Sequence, residues 1–291
     1  MRKGLLFILM AILTVALAAC GSSEDNASSD NGSGEATDEK WSEIQESGEI
    51  VVGTSGTLFP ASYYPEGSDE LTGYDVEVMR EVADRLGVEL TFEEFGVDAL
   101  LTAIESGRVD AVINDMEITE ARQEQFAFSE PYKYSFSTMI VREDDLSGIE
   151  TLEDVEGKVH GGGATTVFSQ IAEEYGATTK SYGNVANDVY LRDVANEQTD
   201  FIINDYYLQE MATAAYPDIP VVVHPDLKFY PTNSAIVIPK DASTMKEEID
   251  AALQEMRDDG TLTEISEEFF GGMDASVEPE EDIQELEGLD L

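Results

Sequence analysis

Arg122 stands in the stretch NDMEITEARQEQFAFSEPY, residues 114–132, among Asp115, Glu117, Glu120 and Glu124. The chain carries 16 Lys and Arg against 62 Asp and Glu, so a guanidinium in an acidic segment calls for a reason. Two readings fit the residues alone: a cation on a solvated helix face, or a cation held for an anion from outside. A guanidinium suits the second task because its planar fork pairs with both oxygens of a carboxylate at once. A further anion-friendly feature is GGGATTVF, residues 161–168, a Gly-rich loop entering a helix. The unpaired N–H groups of a helix start favour negative charge. No Gly-Lys-Ser/Thr follows, so this is not a nucleotide P-loop.

The acids have a pattern of their own. LTAIESGRVDAVIND (residues 101–115) and LRDVANEQTDFIIND (residues 191–205) align without a gap, matching Asp110 with Asp200, Ile113 with Ile203, and the closing Asn-Asp pairs. Each reads as helix end, turn, buried strand, then a polar pair at the strand's C-terminal end. Ligands of open α/β sheets collect beyond those ends, which sets Asp115 and Asp205 on corresponding rims of two similar lobes. The plainer alternative is that helix-turn-strand units simply resemble one another.

The elements that must carry these groups alternate strand and helix patterns, an α/β fold. EIVVGTSG (residues 49–56) reads as a buried strand entering a Gly-containing loop. GYDVEVMREVADRLG spaces Val76, Met79, Val82, Ala83 and Leu86 as a helix face and stops at Gly87. NSAIVIPK returns to an extended pattern, and the following helix carries Ile249, Leu253 and Met256 on one face. At the chain's start, Arg2 and Lys3 precede an apolar run from Leu5 to Ala19. That run is shorter than the roughly 18–20 residues of a spanning helix and predicts a signal peptide over 1–19. Residues 20–43, rich in Ser, Gly and acid, read as a flexible linker, and 275–291 as an acidic tail outside the fold. Cys20 is the sole cysteine, so no internal disulfide is possible. A formal charge of −46 argues against nucleic acid and against electrostatic binding to anionic lipid.

From residue 48 to 274 the sequence resembles the family 3 extracellular solute-binding proteins, receptors of polar amino-acid ABC importers. The resemblance is carried by VVGTSG, LTGYDVEVMREVADRLGV, ALLTAIESGRVDAVIND, ITEARQEQFAFSEPY, GGATTVF and EMRDDGTLTEISEEFFGG in this order. It implies a two-lobed periplasmic-binding-protein-like (type II) fold with two hinge crossovers, near Tyr134 to Met139 and Thr232 to Ile236. Lobe 1 is then 44–135 plus 236–274, and lobe 2 is 136–235. LAAC (residues 17–20) resembles a lipobox, which implies a lipid on Cys20, attachment to the outer face of the cell membrane, and an ABC permease as partner. A monomer with no cofactor and no bound metal is expected.

The family pattern Thr-x-x-Arg before Phe-Ser is met by Thr119, Arg122, Phe128 and Ser129, and implies that Arg122 binds an α-carboxylate. The resemblance further implies Thr166, with Thr165, at that carboxylate and Asp205 at the α-ammonium. Ser55, Phe59 and Tyr63 are expected to wall the pocket. Asp115 and Glu117 stand where many members have Ser or Thr, and Val97 where many have an aromatic. Extra carboxylates disfavour an acidic ligand and leave basic amino acids, cystine or a polar amide; alternatively Asp115 only orients Arg122. Two rivals stand beside this reading. A dehydratase-like enzyme would need Glu117 or His160 as acid or base, yet no set of nucleophile, base and orienter is visible. A cation-binding or adhesive lipoprotein would use Asp115, Glu117 and Asp205 as oxygen ligands without a calcium-loop spacing.

Overall fold

The computed structural model describes residues 39–182 and 185–286. The expected signal peptide, Cys20 and the linker up to residue 38 lie outside the described residues, as does the end of the tail.

The first half of the chain gives α1 (Glu39–Ser47), β1 (Glu49–Thr54), the short hairpin β2 (Thr57–Leu58) and β3 (Ser62–Tyr63), and α2 (Tyr74–Leu86). Then come β4 (Glu89–Glu94), α3 (Leu100–Glu105), β5 (Ala111–Val112), α4 (Glu120–Gln125) and β6 (Phe126–Phe128). Next follow β7 (Lys133–Arg142), β8 (Val159–Gly162), α5 (Val167–Glu174), β9 (Thr178–Ser181), α6 (Asn187–Ala195), β10 (Ile202–Asp205) and α7 (Tyr206–Ala215). The chain closes with β11 (Val221–Val223), β12 (Phe229–Ser234), β13 (Val237–Pro239), α8 (Ser243–Asp259) and α9 (Thr261–Phe269).

Nine of these strands form two larger sheets, while β2–β3 and β8–β9 are separate two-stranded pairs. One has the order β4-β1-β5-β13-β6, and the other the order β10-β7-β11 with β12 also paired to β7. The chain leaves the first sheet after β6, enters the second at β7, and returns between β12 and β13. The antiparallel pair β7–β12, with Ser234 opposite Lys133 and Thr232 opposite Ser135, is thus the double connection between two lobes.

Each sheet is covered on both faces because successive residues of a strand point to opposite sides. In the first lobe Ala111 and Ile238 pack with α1, α2 and α8 through Ile44, Val82 and Leu253, whereas Val112 and Val237 face Leu100, Ile104 and Phe126. In the second lobe Ile203 packs with Val167, Phe168 and Ile171 of α5, and its neighbour Ile202 faces Leu191, Val194 and Ala212. Helix α2 ends as its spacing predicts: Gly87 takes φ 70° and its N–H reaches the carbonyls of Ala83 and Asp84.

The aligned segments are equivalent in three dimensions. Asp110 donates its N–H to the carbonyl of Val51 at 2.7 Å, and its Oδ2 accepts the Val51 N–H at 2.8 Å. Asp200 treats Val159 identically, at 2.7 and 2.8 Å. Each aspartate therefore pins a strand of its lobe, β1 or β8.

Two terminal stretches depart from expectation. Helix α1 begins at Glu39, inside the stretch read as linker, because Trp41 and Ile44 find the first lobe's core. Part of the stretch read as a free tail is docked: Ala275 is buried, and Gln284 exchanges backbone bonds with Lys228 and Tyr230 beside β12.

Candidate functional site

A cavity of about 420 Å³ lies between the lobes, within the roughly 300–1,000 Å³ range of small-molecule sites. Arg122, Asp115, Glu117, Thr165 and Thr166 all line it, together with Val97, Asp98, Asn114 and Asn204. Ser55, Phe59, Tyr63 and Asp205 do not; the loop of Ser55 reaches the cavity through Thr57 and Leu58.

Arg122 is placed by its own helix start. Thr119 caps α4 and its hydroxyl accepts the Arg122 N–H at 3.2 Å. The guanidinium then turns back on Glu117, with Nη1 donating to the Glu117 carbonyl at 2.8 Å and to Oε2 at 2.9 Å. Both side-chain bonds leave from Nη1. The Nε–Nη2 edge, with two parallel N–H groups, is the part of the fork that matches a carboxylate. Burial raises the Glu117 carboxyl above its ordinary range; Arg122 counters this and the neighbouring Asp115 adds to it.

Opposite stands the start of α5. Thr166 caps it, its hydroxyl accepting the Ser169 N–H and donating to the Gly163 carbonyl, each at 3.2 Å. Thr165 reaches across to the other lobe: its hydroxyl and N–H both donate to Asp98 Oδ1, at 2.8 and 3.1 Å. These bonds draw the lobes together at the cleft.

At the hinge the two aligned acids meet on a residue that spacing did not single out. Lys133, the first residue of β7, is buried and its Nζ lies 2.7 Å from Asp115 Oδ1 and 2.8 Å from Asp205 Oδ2. Burial alone would lower its pKa, but Asp115 and Asp205 outweigh that and hold it above the ordinary lysine value. Asp205 also caps α7, accepting the Leu208 N–H at 3.0 Å. Its carboxylate is therefore engaged within the protein. Asp115 sits in the bend that follows β5 with φ 50°, a left-handed turn that Asp tolerates. Its Oδ1 takes both Lys133 and the Ser234 hydroxyl, and its N–H donates to buried Asp75. After that turn the backbone runs beside the returning connection, Ile118 N–H to the Asn233 carbonyl and Ala235 N–H to that of Met116. Glu117 is thereby carried to the cavity beside Asp115.

Burial pushes the Asp75 carboxyl up to about 8, with Asp115 adding to the effect. His160 is buried against Phe201, its Nε2 3.4 Å from the Ile203 carbonyl, and desolvation lowers its pKa to about 4. It lies in the second lobe's interior, without a carboxylate beside it among the described residues. His224 contacts the Ile149 carbonyl and accepts the N–H groups of Asp226 and Leu227. Among the described residues no three His, Cys, Asp or Glu side chains converge as a metal site.

Residues 50–272 match the bacterial extracellular solute-binding proteins, family 3. The chain belongs to that family. The probable ABC transporter extracellular-binding protein YckB of Bacillus subtilis (strain 168) is 47% identical over 287 residues, covering 98% of this chain and 97% of YckB. The L-cystine-binding protein TcyA of the same organism is 31% identical over 273 residues, covering 93% of this chain and 98% of TcyA. The crystal structure of Bacillus subtilis YckB aligns with a TM-score of 0.69 at 51% identity, covering 85% of this chain and 99% of that one. Family and fold agree with the two lobes and the cleft between them.

Proposed function

We propose that this protein captures an amino acid by lobe closure and hands it to an ABC permease, without covalent chemistry, held at the outer face of the membrane by lipid on Cys20. The ligand's carboxylate meets the Nε–Nη2 edge of Arg122 from one lobe and the start of α5, with Thr165 and Thr166, from the other. Its ammonium meets Asp115, whose Oδ2 is left over once Oδ1 has taken Lys133 and Ser234. Asp205 then acts at one remove, sharing Lys133 with Asp115 so that the lysine stays fixed between them. Contacts from both lobes shift the open–closed equilibrium toward closure. One observation carries the reading: a guanidinium whose Nε–Nη2 edge has no partner among the described residues and a Gly-rich helix start line the same cavity from opposite lobes. The L-cystine named for TcyA belongs among the candidate ligands, beside basic amino acids and polar amides.

A thermal-shift screen of the twenty amino acids, cystine and ornithine tests it. A ligand at a hundred times its Kd adds about 2.7 kcal/mol, a rise of roughly 5–10 °C for a protein of this size. A small chemically related group should raise the midpoint by that amount. A flat screen contradicts the proposal.

A further inference from the structure

Resting on that reading, we infer that the segment 275–286 is a third connection of the hinge, which positions Arg122 for the ligand through the bulge at Tyr230 in β12. The segment is fastened to the first lobe at its start. The Ala275 N–H donates to the Ser266 hydroxyl at 2.7 Å, and its carbonyl accepts the Tyr134 N–H of β7, also at 2.7 Å. Arg257 donates to the Ser276 carbonyl at 2.8 Å and to that of Pro131 at 2.6 Å. Further on, the segment is fastened to the second lobe. Glu281 pairs with Lys228, Leu286 packs against the second lobe's core, and Gln284 bridges to Phe229. The family match ends at residue 272, before this segment begins.

Tyr230 gives the docked segment its consequence. It is the extra residue of β12, where the pairing to β7 shifts between Phe229 and Pro231, and it takes φ 50°. A bulky side chain in the left-handed region is strained and stays there only where its surroundings hold it. The holding bonds come from the segment. The Tyr230 N–H donates to the Gln284 carbonyl at 2.8 Å, and the Gln284 N–H to the Lys228 carbonyl at 3.0 Å.

From the bulge the path to the ligand site is short. Beyond it, the Asn233 carbonyl accepts the Ile118 N–H at 2.9 Å, and the Ala235 N–H donates to the Met116 carbonyl at 3.1 Å. Between those two bonds lies Glu117, whose carbonyl and carboxylate hold Arg122 Nη1. Burial raises the Tyr230 hydroxyl above its ordinary pKa, with Glu117 adding to this and Arg122 opposing it. The phenol therefore lies within electrostatic reach of the pair. Relaxing the bulge moves β12 and, with it, the anchor of the guanidinium.

Calorimetry on the full chain, unfolded and refolded to remove bound ligand, tests this with L-cystine, L-arginine and L-glutamine, using whichever binds wild type most tightly. Gln284→Pro removes the N–H and the bridge, and should weaken that probe threefold or more. Gln284→Ala keeps both backbone bonds and should stay within twofold of wild type. Glycine carries no left-handed penalty, so in a Tyr230→Gly background Gln284→Pro should cost less than twofold. Exchange of the Tyr230 amide reads the docking itself and should speed up at least tenfold in Gln284→Pro. If that variant does not fold, Glu281→Lys, which sets like charges together at Lys228, and its restoration in Lys228→Glu/Glu281→Lys decide. A lowered urea midpoint with affinity and exchange unchanged in Gln284→Pro makes the segment a staple of the fold alone and overturns the inference. A loss in Gln284→Ala equal to that in Gln284→Pro, or a full loss in the Tyr230→Gly background, overturns it too. In those outcomes, affinity that still falls in Arg122→Ala leaves the amino-acid reading standing. Absence of binding by all three probes and by the wider screen removes both.

Discussion

Lys133 is the residue on which the hinge turns. It is one cation in a chain with few, placed where the chain changes sheets, and it ties an acid of each lobe to the connecting strand. Removing it leaves two buried carboxylates without a counter-charge, a loss of about 3–5 kcal/mol for a broken buried pair. Urea unfolding of Lys133→Met should show a decrease of that order, and a change below about 1 kcal/mol would mean that solvent already screens the triad. Asp75 gives a prediction in pH. A carboxyl held at about 8 in the fold but near 3.9 unfolded keeps its proton more tightly when folded. Its contribution is complete below pH 4 and is lost as pH rises through 8. Urea midpoints of the wild type should therefore fall relative to Asp75→Asn between pH 5 and pH 8.5, and a gap independent of pH would contradict the shift. Arg122, Asp115 and the Gly-rich start of α5 stood out by type and spacing, whereas Thr166 and Glu117 were placed at the ligand by the family resemblance. Lys133 did not stand out, because its partners lie far along the chain and local spacing carries no trace of them. The same limit applies to Asp205, legible as a strand-end acid but not as the partner of a lysine.

The connections that fit each side chain to its place are short elements. The turn before α3 carries Val97 and Asp98 to the cleft, and the start of α5 carries Thr165 to meet them. These bonds span the lobes, so they belong to the closed form. Asp98→Ala should weaken ligand binding by about 1 kcal/mol, roughly fivefold, through faster dissociation, because the bonds to a carboxylate are partly exposed. Stopped-flow release rates check this, and an unchanged off-rate would make the bond a bystander. The repeat was readable at this scale: Asp110 and Asp200 have the same backbone partners in their lobes, so the gapless alignment reflects one structural unit used twice. Helices with clear spacing, α2 and α8, also lie where their apolar faces predict. The docking of Gln284 beside β12 was hidden, since an acidic composition says nothing about which backbone groups find a partner across the fold.

At the scale of the molecule, two lobes joined by β7 and β12 enclose a cavity whose Asp, Glu and Arg side chains all come from the first lobe. The strand–helix alternation predicted an α/β fold and the repeat predicted two lobes. The internal pairing of Arg122 with Glu117 and of Asp115 with Lys133 changes the electrostatic argument, because each added carboxylate already has a cation beside it. Repulsion of acidic ligands thus rests on less net charge than the residue count suggests. The central claim is that Arg122 grips the ligand's carboxylate. The direct measurement is calorimetry of the best ligand from the screen against wild type, Arg122→Lys and Arg122→Ala. The account predicts a loss of roughly 2–5 kcal/mol for Arg122→Ala, at least about thirtyfold in Kd, with only partial recovery in Arg122→Lys because an ammonium lacks the planar fork. A Kd for Arg122→Ala within threefold of wild type would contradict it.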